Sequence, residues 1–325
     1  MKYRLVFRRR GRPSTSKRLK RISTTSVSAQ GAGRAVVLRA KPQGEPPPAV
    51  VPAAVPRRSQ STPLAARFRV DAVVVDDGAK RVASVVEIRT GRRATLTTFA
   101  LGSAKDWDAW ERFAHECRVL RSLAHAGVPR YLEHGHSDTL AHLLTERVEG
   151  HSLSARMERD ERWSDAKLRH ILVRMLDVLA YLHDLNPPVF HCDVHPGAIV
   201  VSDGGDVTLT GFGRARSRLP GDDDRAEPIG RAGYVPEAPW RFAASAAIDT
   251  WALGATMLAV ASGRDAATLP RAGKTFDVEA CMKPSTVRDA IRTLLVDDPI
   301  ACVDAAARLR MQSSARGASG PAGSR

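Results

Sequence analysis

Residues 191–198 read His191-Cys192-Asp193-Val194-His195-Pro196-Gly197-Ala198. Four of the first five side chains belong to types that move protons or ligate metals. Asp193 alone suits a general base. The set His191, Cys192, Asp193 and His195 also suits a transition-metal site. Pro187-Pro188 breaks any helix before the stretch. After it, Ala198–Val201 and Asp206–Thr210 read as short strands joined by a turn at Gly204-Gly205. The eight residues therefore form a loop held between regular elements, a common place for working side chains.

Outward from this loop the chain divides into two styles. Upstream, Leu168, Ile171, Leu172, Met175, Leu179 and Leu182 recur at helical spacing behind Ser164, a suitable N-cap. Downstream, helices are expected over about 244–261 and 286–296, the first buried because Trp251 to Ala261 is apolar all round. Farther upstream, Phe68–Val75, Val82–Ile88 and Arg93–Leu101 are rich in Val, Ile, Thr and Phe. Turn signals at Asp76-Asp77-Gly78 and Thr90-Gly91-Arg92 join them into an antiparallel meander. Trp107, Trp110, Phe113, Cys117 and Leu120 then mark one face of a helix, and short strands fit near Arg130–Leu132 and His142–Thr145. A small β-rich lobe with one helix, followed by a larger helical lobe, is an α+β two-lobed fold.

The central loop resembles the catalytic loop of eukaryotic-type protein kinases, H-R-D-L-x-x-x-N. Gly211-Phe212-Gly213 stands thirteen residues beyond Ala198, in the place of D-F-G. Pro236-Glu237 resembles the A-P-E element, Asp249 to Gly254 the buried helix that follows it, and Glu116 the glutamate of the small-lobe helix. Asp106 to Glu116 and Pro187 to His191 resemble motifs of bacterial serine/threonine kinases. The resemblance spans about residues 67–310. It implies a small lobe over 67–147, a large lobe over 148–310, and a stack of side chains (Leu120, Tyr131, His191, Phe212) that ties the lobes together, anchored by Asp249.

What a kinase needs for ATP departs from the pattern. Phosphoryl transfer is mostly positioning and charge neutralisation. The resemblance assigns the phosphate-gripping lysine to Thr97, the magnesium aspartate to Gly211 and the second metal ligand to Ala198. Magnesium requires oxygen ligands, and neither Ala198 nor Gly211 has one to offer. Val75, Asp77 and Lys80 fall at the three glycine positions of the phosphate loop. His195 replaces the loop lysine, Cys192 the arginine beside Asp193, and Arg231 the threonine before Gly233-Tyr234. Cys302 replaces the large-lobe arginine that would pair with Glu237. The packing positions stay filled while the phosphate and metal contacts are lost. Asp193 is then expected to steady its loop through backbone hydrogen bonds, and His191 to pack inward instead of binding metal. Lys80 is the counter-argument, since with-no-lysine kinases take their phosphate lysine from this part of the loop. Ser217 is the only hydroxyl residue between Phe212 and Tyr234, and with Cys192 beside Asp193 no activation by phosphate is expected there.

Composition bounds the rest. The 325 residues are 43% hydrophobic and 26% charged, which excludes a wholly disordered chain. No apolar run is long enough for a spanning helix. Four scattered cysteines give neither a disulfide framework nor a zinc pattern. A reducing cytoplasm is the expected location. The net charge of +15 is local: residues 1–66 hold 15 Lys and Arg against one acid, leaving the remainder near neutrality. This Pro- and Ser-rich segment reads as disordered. It suits electrostatic binding to nucleic acid or an anionic membrane surface, a targeting role, or a solvated extension. A second low-complexity tail covers 311–325.

The sequence thus points to a kinase fold without kinase activity: a scaffold or regulator that binds a protein partner. Asp193 and His195 mark a retained but idle catalytic position, and Lys80 and Glu116 a vestigial nucleotide pocket. No cofactor and no metal is expected. The alternative is a divergent serine/threonine kinase with Asp193 as base and Lys80 on the phosphates, which alone would require ATP and magnesium.

Overall fold

Alternating Val, Thr and Phe residues deliver three antiparallel strands at the start of the domain. The computed structural model describes residues 64–101, 107–137, 139–217, 229–237 and 244–318, with side chains of 107–109 and 313–318 left aside. The basic segment up to residue 63 lies outside the described residues, and with it the expected nucleic-acid or membrane-surface role. So does Asp106.

The small lobe runs α1 (Leu64–Arg67), β1 (Phe68–Asp76), β2 (Lys80–Glu87), β3 (Arg93–Ala100), α2 (Trp107–Ser122), β4 (Tyr131–His136) and β5 (Leu140–Glu146). Its five strands lie in the order β1-β2-β3-β5-β4. Register sorts the side chains onto two faces. Ala83 opposes Leu96 and Val85 opposes Ala94 on the outer face, where Phe68 and Leu144 join them in a small apolar cluster. Val82 opposes Thr97 and Lys80 opposes Phe99 on the other face. Phe99 meets Phe113 of α2 edge-on at 5.4 Å, so that second face is the one α2 covers.

The large lobe follows with β6 (His151–Ser152), α3 (Leu153–Met157), α4 (Asp165–His183), β7 (Val189–Phe190), β8 (Ile199–Val201), β9 (Val207–Leu209), β10 (Arg216–Ser217), α5 (Ala246–Ser262), β11 (Arg271–Ala272), β12 (Thr275–Phe276), α6 (Val278–Cys281), α7 (Thr286–Leu294) and α8 (Pro299–Ala318). Ser164 caps α4 as expected, its side chain accepting from the Lys167 N–H. Every residue of α5 from Ala247 to Val260 is buried, which explains its uniformly apolar sequence. α4, α5, α7 and α8 enclose one core with Trp251 and Met257 at its centre. The composition turns low-complexity near 311, yet α8 continues to Ala318. Among the described residues no helix is long and apolar enough to cross a membrane.

The lobes meet through side chains expected to stack. Leu120 of α2, His191 and Phe212 are all buried in the main core. The rings of His191 and Phe212 meet edge-to-face at 4.9 Å. Tyr131 packs against this core only in part, with its hydroxyl 2.7 Å from His134 Nδ1.

Candidate functional site

The central loop hangs from α5. Asp249 has no solvent exposure, and three donors satisfy its carboxylate. The backbone N–H groups of His191 and Cys192 donate to it at 2.7 Å each, and His183 Nε2 lies 2.9 Å away. A buried carboxylate is tolerable only with such compensation. The pull sets Cys192 in the left-handed region at φ +61°. Its thiol is buried beside Ile229 and Ile248, and that apolar surrounding pushes its pKa well up. His191 is also turned inward. Its Nδ1 accepts from the Asp193 N–H, so its proton sits on Nε2, facing the Thr210 carbonyl at 3.0 Å. Burial lowers its pKa and keeps it neutral. Among the described residues no three His, Cys, Asp or Glu side chains converge as metal ligands.

Asp193 differs from expectation. No described backbone amide donates to its carboxylate; arginine does. Arg231 Nε donates to Oδ1 at 3.1 Å and Nη2 donates to Oδ2 at 3.2 Å. Arg214 Nε stands 3.9 Å from Oδ2, and His195 Nε2 at 4.0 Å. His195 is no substitute for a lysine. Burial, helped by the two arginines, pushes its imidazole down to about 4, so it is neutral near pH 7. Its Nδ1 accepts from the Gly197 N–H at 3.1 Å and caps the short turn Pro196–Ala198. The carboxylate therefore sits inside a cationic fork beside a neutral ring.

The upper side of the cleft comes from β2, β3 and α2. Thr97 lies on the face that α2 covers, where the resemblance places a lysine. Lys80 is on the same face, half-buried, with Nζ 5.4 Å from the Phe99 ring centre. It is thus neither a freely exposed hairpin lysine nor a partner of Glu116. Glu116 is only 6% exposed, and no described residue gives it a hydrogen bond or an ion pair. It lies against Gly213, where an added Cβ would stand 3.3 Å from Oε2. Gly211 adopts φ +86°, and a Cβ there would meet nothing within 4 Å. Ala198 is buried below. The hairpin joining β1 and β2 is held by its own acids. Asp77 Oδ1 accepts from the Ala79 and Lys80 N–H groups at 3.0 and 2.6 Å, and Asp76 Oδ1 from Gly78 N–H at 3.2 Å.

Comparison with known proteins agrees with this architecture. The profile of the protein kinase domain matches residues 78–289. The chain belongs to the protein kinase family. The domain is 30% identical over 212 residues to the serine/threonine-protein kinase PknA of Mycobacterium tuberculosis, covering 62% of this chain and 48% of that protein. It is 26% identical over 209 residues to the probable serine/threonine-protein kinase PknB of Corynebacterium glutamicum, covering 62% and 32%. The mouse serine/threonine-protein kinase tousled-like 1 matches at 25% over 166 residues, 46% and 21% of the two chains. The chain thus spans about a third to a half of the length of the bacterial relatives it matches.

In this kinase domain other contacts fill the places of missing partners. Cys302 is fully buried and its Sγ donates to the Leu294 carbonyl at 3.1 Å, so it closes the α7–α8 corner. Glu237 turns instead to Arg271, 3.6 Å away. Ser217 is buried on β10, opposite Val189. The sequence named Arg231 as a departure but did not foresee its grip on Asp193. Nor did it single out Thr95, whose Oγ1 accepts from Val148 N–H at 3.4 Å and links β3 to the segment after β5. The Asp77 turn had a local signal, since Asp before Gly often caps its own turn.

Proposed function

We propose that this kinase domain acts by binding, as a non-catalytic protein-binding or regulatory module, and does not transfer phosphate. The fork of Arg231 on Asp193 carries the reading. A general base must face the hydroxyl it deprotonates. Both Asp193 oxygens instead face a guanidinium, and the position of the loop lysine holds a neutral imidazole. The rest of the cleft supports it. Ala198 and Gly211 offer no side-chain oxygen to magnesium, and the hairpin amides that could meet phosphate are spent on Asp76 and Asp77. These residues do not fit a magnesium-bound triphosphate. Meanwhile Asp249, His191 and Phe212 keep the frame assembled, which a binding surface needs as much as an enzyme does.

A second reading rests on Lys80. It is on the cleft face, and a divergent serine/threonine kinase could use it for phosphate with Asp193 as base. Thermal melting with ATP, with and without magnesium, separates the two. The binding module shows no magnesium-dependent shift. Transfer of radiolabelled phosphate to the chain or to a generic substrate, lost in Asp193→Ala, would establish the second reading in its place.

A further inference from the structure

α8 carries apolar side chains on two opposite faces. One faces the lobe: Cys302, Ala305, Ala306 and Leu309 pack into the main core, where α8 meets α4, α5 and α7. The other faces away from it. Ile300, Val303, Ala307 and Met311 recur at steps of three and four residues, which sets them in one row on the side opposite Cys302 and Leu309. All four are exposed, Ile300 at 74% and Met311 at 72%. The row is about 16 Å long, at 1.5 Å per residue. A helix with apolar side chains on both faces is ordinarily covered on both. Asp304 and Arg308 flank the row along one side. Both are exposed, and neither has an ion pair among the described residues.

We infer that this outer row is a dimer interface whose occupant is the same helix of a second copy, laid antiparallel about a two-fold axis. The charge pattern selects that occupant. Antiparallel pairing that seats Ile300 against Met311 of the second copy brings Asp304 to within one residue of level with Arg308 of that copy. Symmetry repeats both contacts at the other end. The axis stands perpendicular to the two helices, so the flank that carries Asp304 and Arg308 meets the same flank of the second copy. A parallel pair would turn this flank toward the opposite one, away from its complement. Antiparallel packing also opposes the two helix dipoles. Ala307, near the axis, lets the helices approach to about 8 Å. The basic segment 1–66 is a poorer occupant, because the flank balances its one acid with one base. Four side chains from each copy bury less than the roughly 1,200 Å² of a stable dimer, so the association is reversible and micromolar. α8 packs on helices of the large lobe, and the inference is independent of whether the cleft binds nucleotide.

Sedimentation equilibrium of the full chain from about 1 to about 200 μM tests it. The mass should rise with concentration toward twice that of the monomer. Ile300→Glu should weaken association at least about tenfold. Asp304→Arg and Arg308→Asp, each alone, set like charges against one another at both ends and should weaken it by a similar factor. An equimolar mixture of these two variants should dimerise as well as the unaltered chain, because every arginine then faces an aspartate. The substituted positions are exposed, so each variant should melt within about 2 °C of the unaltered chain at low concentration. A monomer at every concentration would leave the row to the chain's own termini or to another protein and overturn the inference. A dimer that none of the substitutions weakens, or a mixture that fails to recover, would overturn it as well.

Discussion

Arg231 and Asp193, thirty-eight residues apart in sequence, are joined by two parallel hydrogen bonds of 3.1 and 3.2 Å. Guanidinium and carboxylate match in shape, so this geometry fixes both groups at once. The carboxylate is nearly buried while the arginine side chain is 51% exposed, so solvent screens much of the pair's energy.

Arg231→Ala should therefore lower stability by only about 1 kcal/mol. Arg231→Lys should recover less than half, because an ammonium cannot span both oxygens. Urea denaturation of the three proteins measures this. A loss of less than about 0.2 kcal/mol would mean that the fork is not maintained in solution.

Asp249 is the opposite case. It is fully buried and serves two loop amides and His183. Asp249→Ala leaves those donors unsatisfied in the core and should cost about 3–5 kcal/mol. Expression and melting of this variant, against Asp203→Ala at an exposed carboxylate as control, check it.

Acid should weaken the fold before any carboxylate titrates. His195 has a folded pKa lowered from 6.5 to about 4, so the unfolded chain binds more protons between those values. Its contribution is fully present above pH 6.5 and is lost as pH falls toward 4. From pH 7.5 to 5 the loss is roughly 2 kcal/mol for this group. His125, His134, His142 and His191 are lowered too and act in the same direction. His195→Asn keeps a cap for Gly197 and should flatten the pH slope of the urea midpoint by that amount. An unchanged slope would show that His195 does not titrate abnormally.

Asp77 governs the hairpin between β1 and β2. Asp77→Ala releases the Ala79 and Lys80 amides, whose hydrogen exchange should accelerate at least tenfold while global stability falls by less than about 1 kcal/mol. Exchange rates unaffected by the substitution would place the protection elsewhere.

Much of the frame was legible before any coordinates. Ser164 announced α4, and the uniform apolarity of Trp251 to Ala261 announced the buried α5. The meander was readable from β-branched residues between turn signals. The short elements α3 and α6 carried too few residues for a period to show. α8 was missed because its alanine-rich sequence has only a weak apolar stripe. For the cleft, the sequence identified the replaced positions, Thr97, Ala198, Gly211 and His195, but not what occupied the freed space.

The sequence by itself determined the two-lobed frame and the absence of oxygen ligands at Ala198 and Gly211, because strand alternation, helix spacing and side-chain composition are local properties. Only the tertiary structure decided that Arg231 seizes Asp193, that Lys80 settles on Phe99, and that no described residue serves Glu116 as counter-ion. Long charged side chains choose among neighbours that are brought together by packing of distant segments, and desolvation then fixes the strength of each choice.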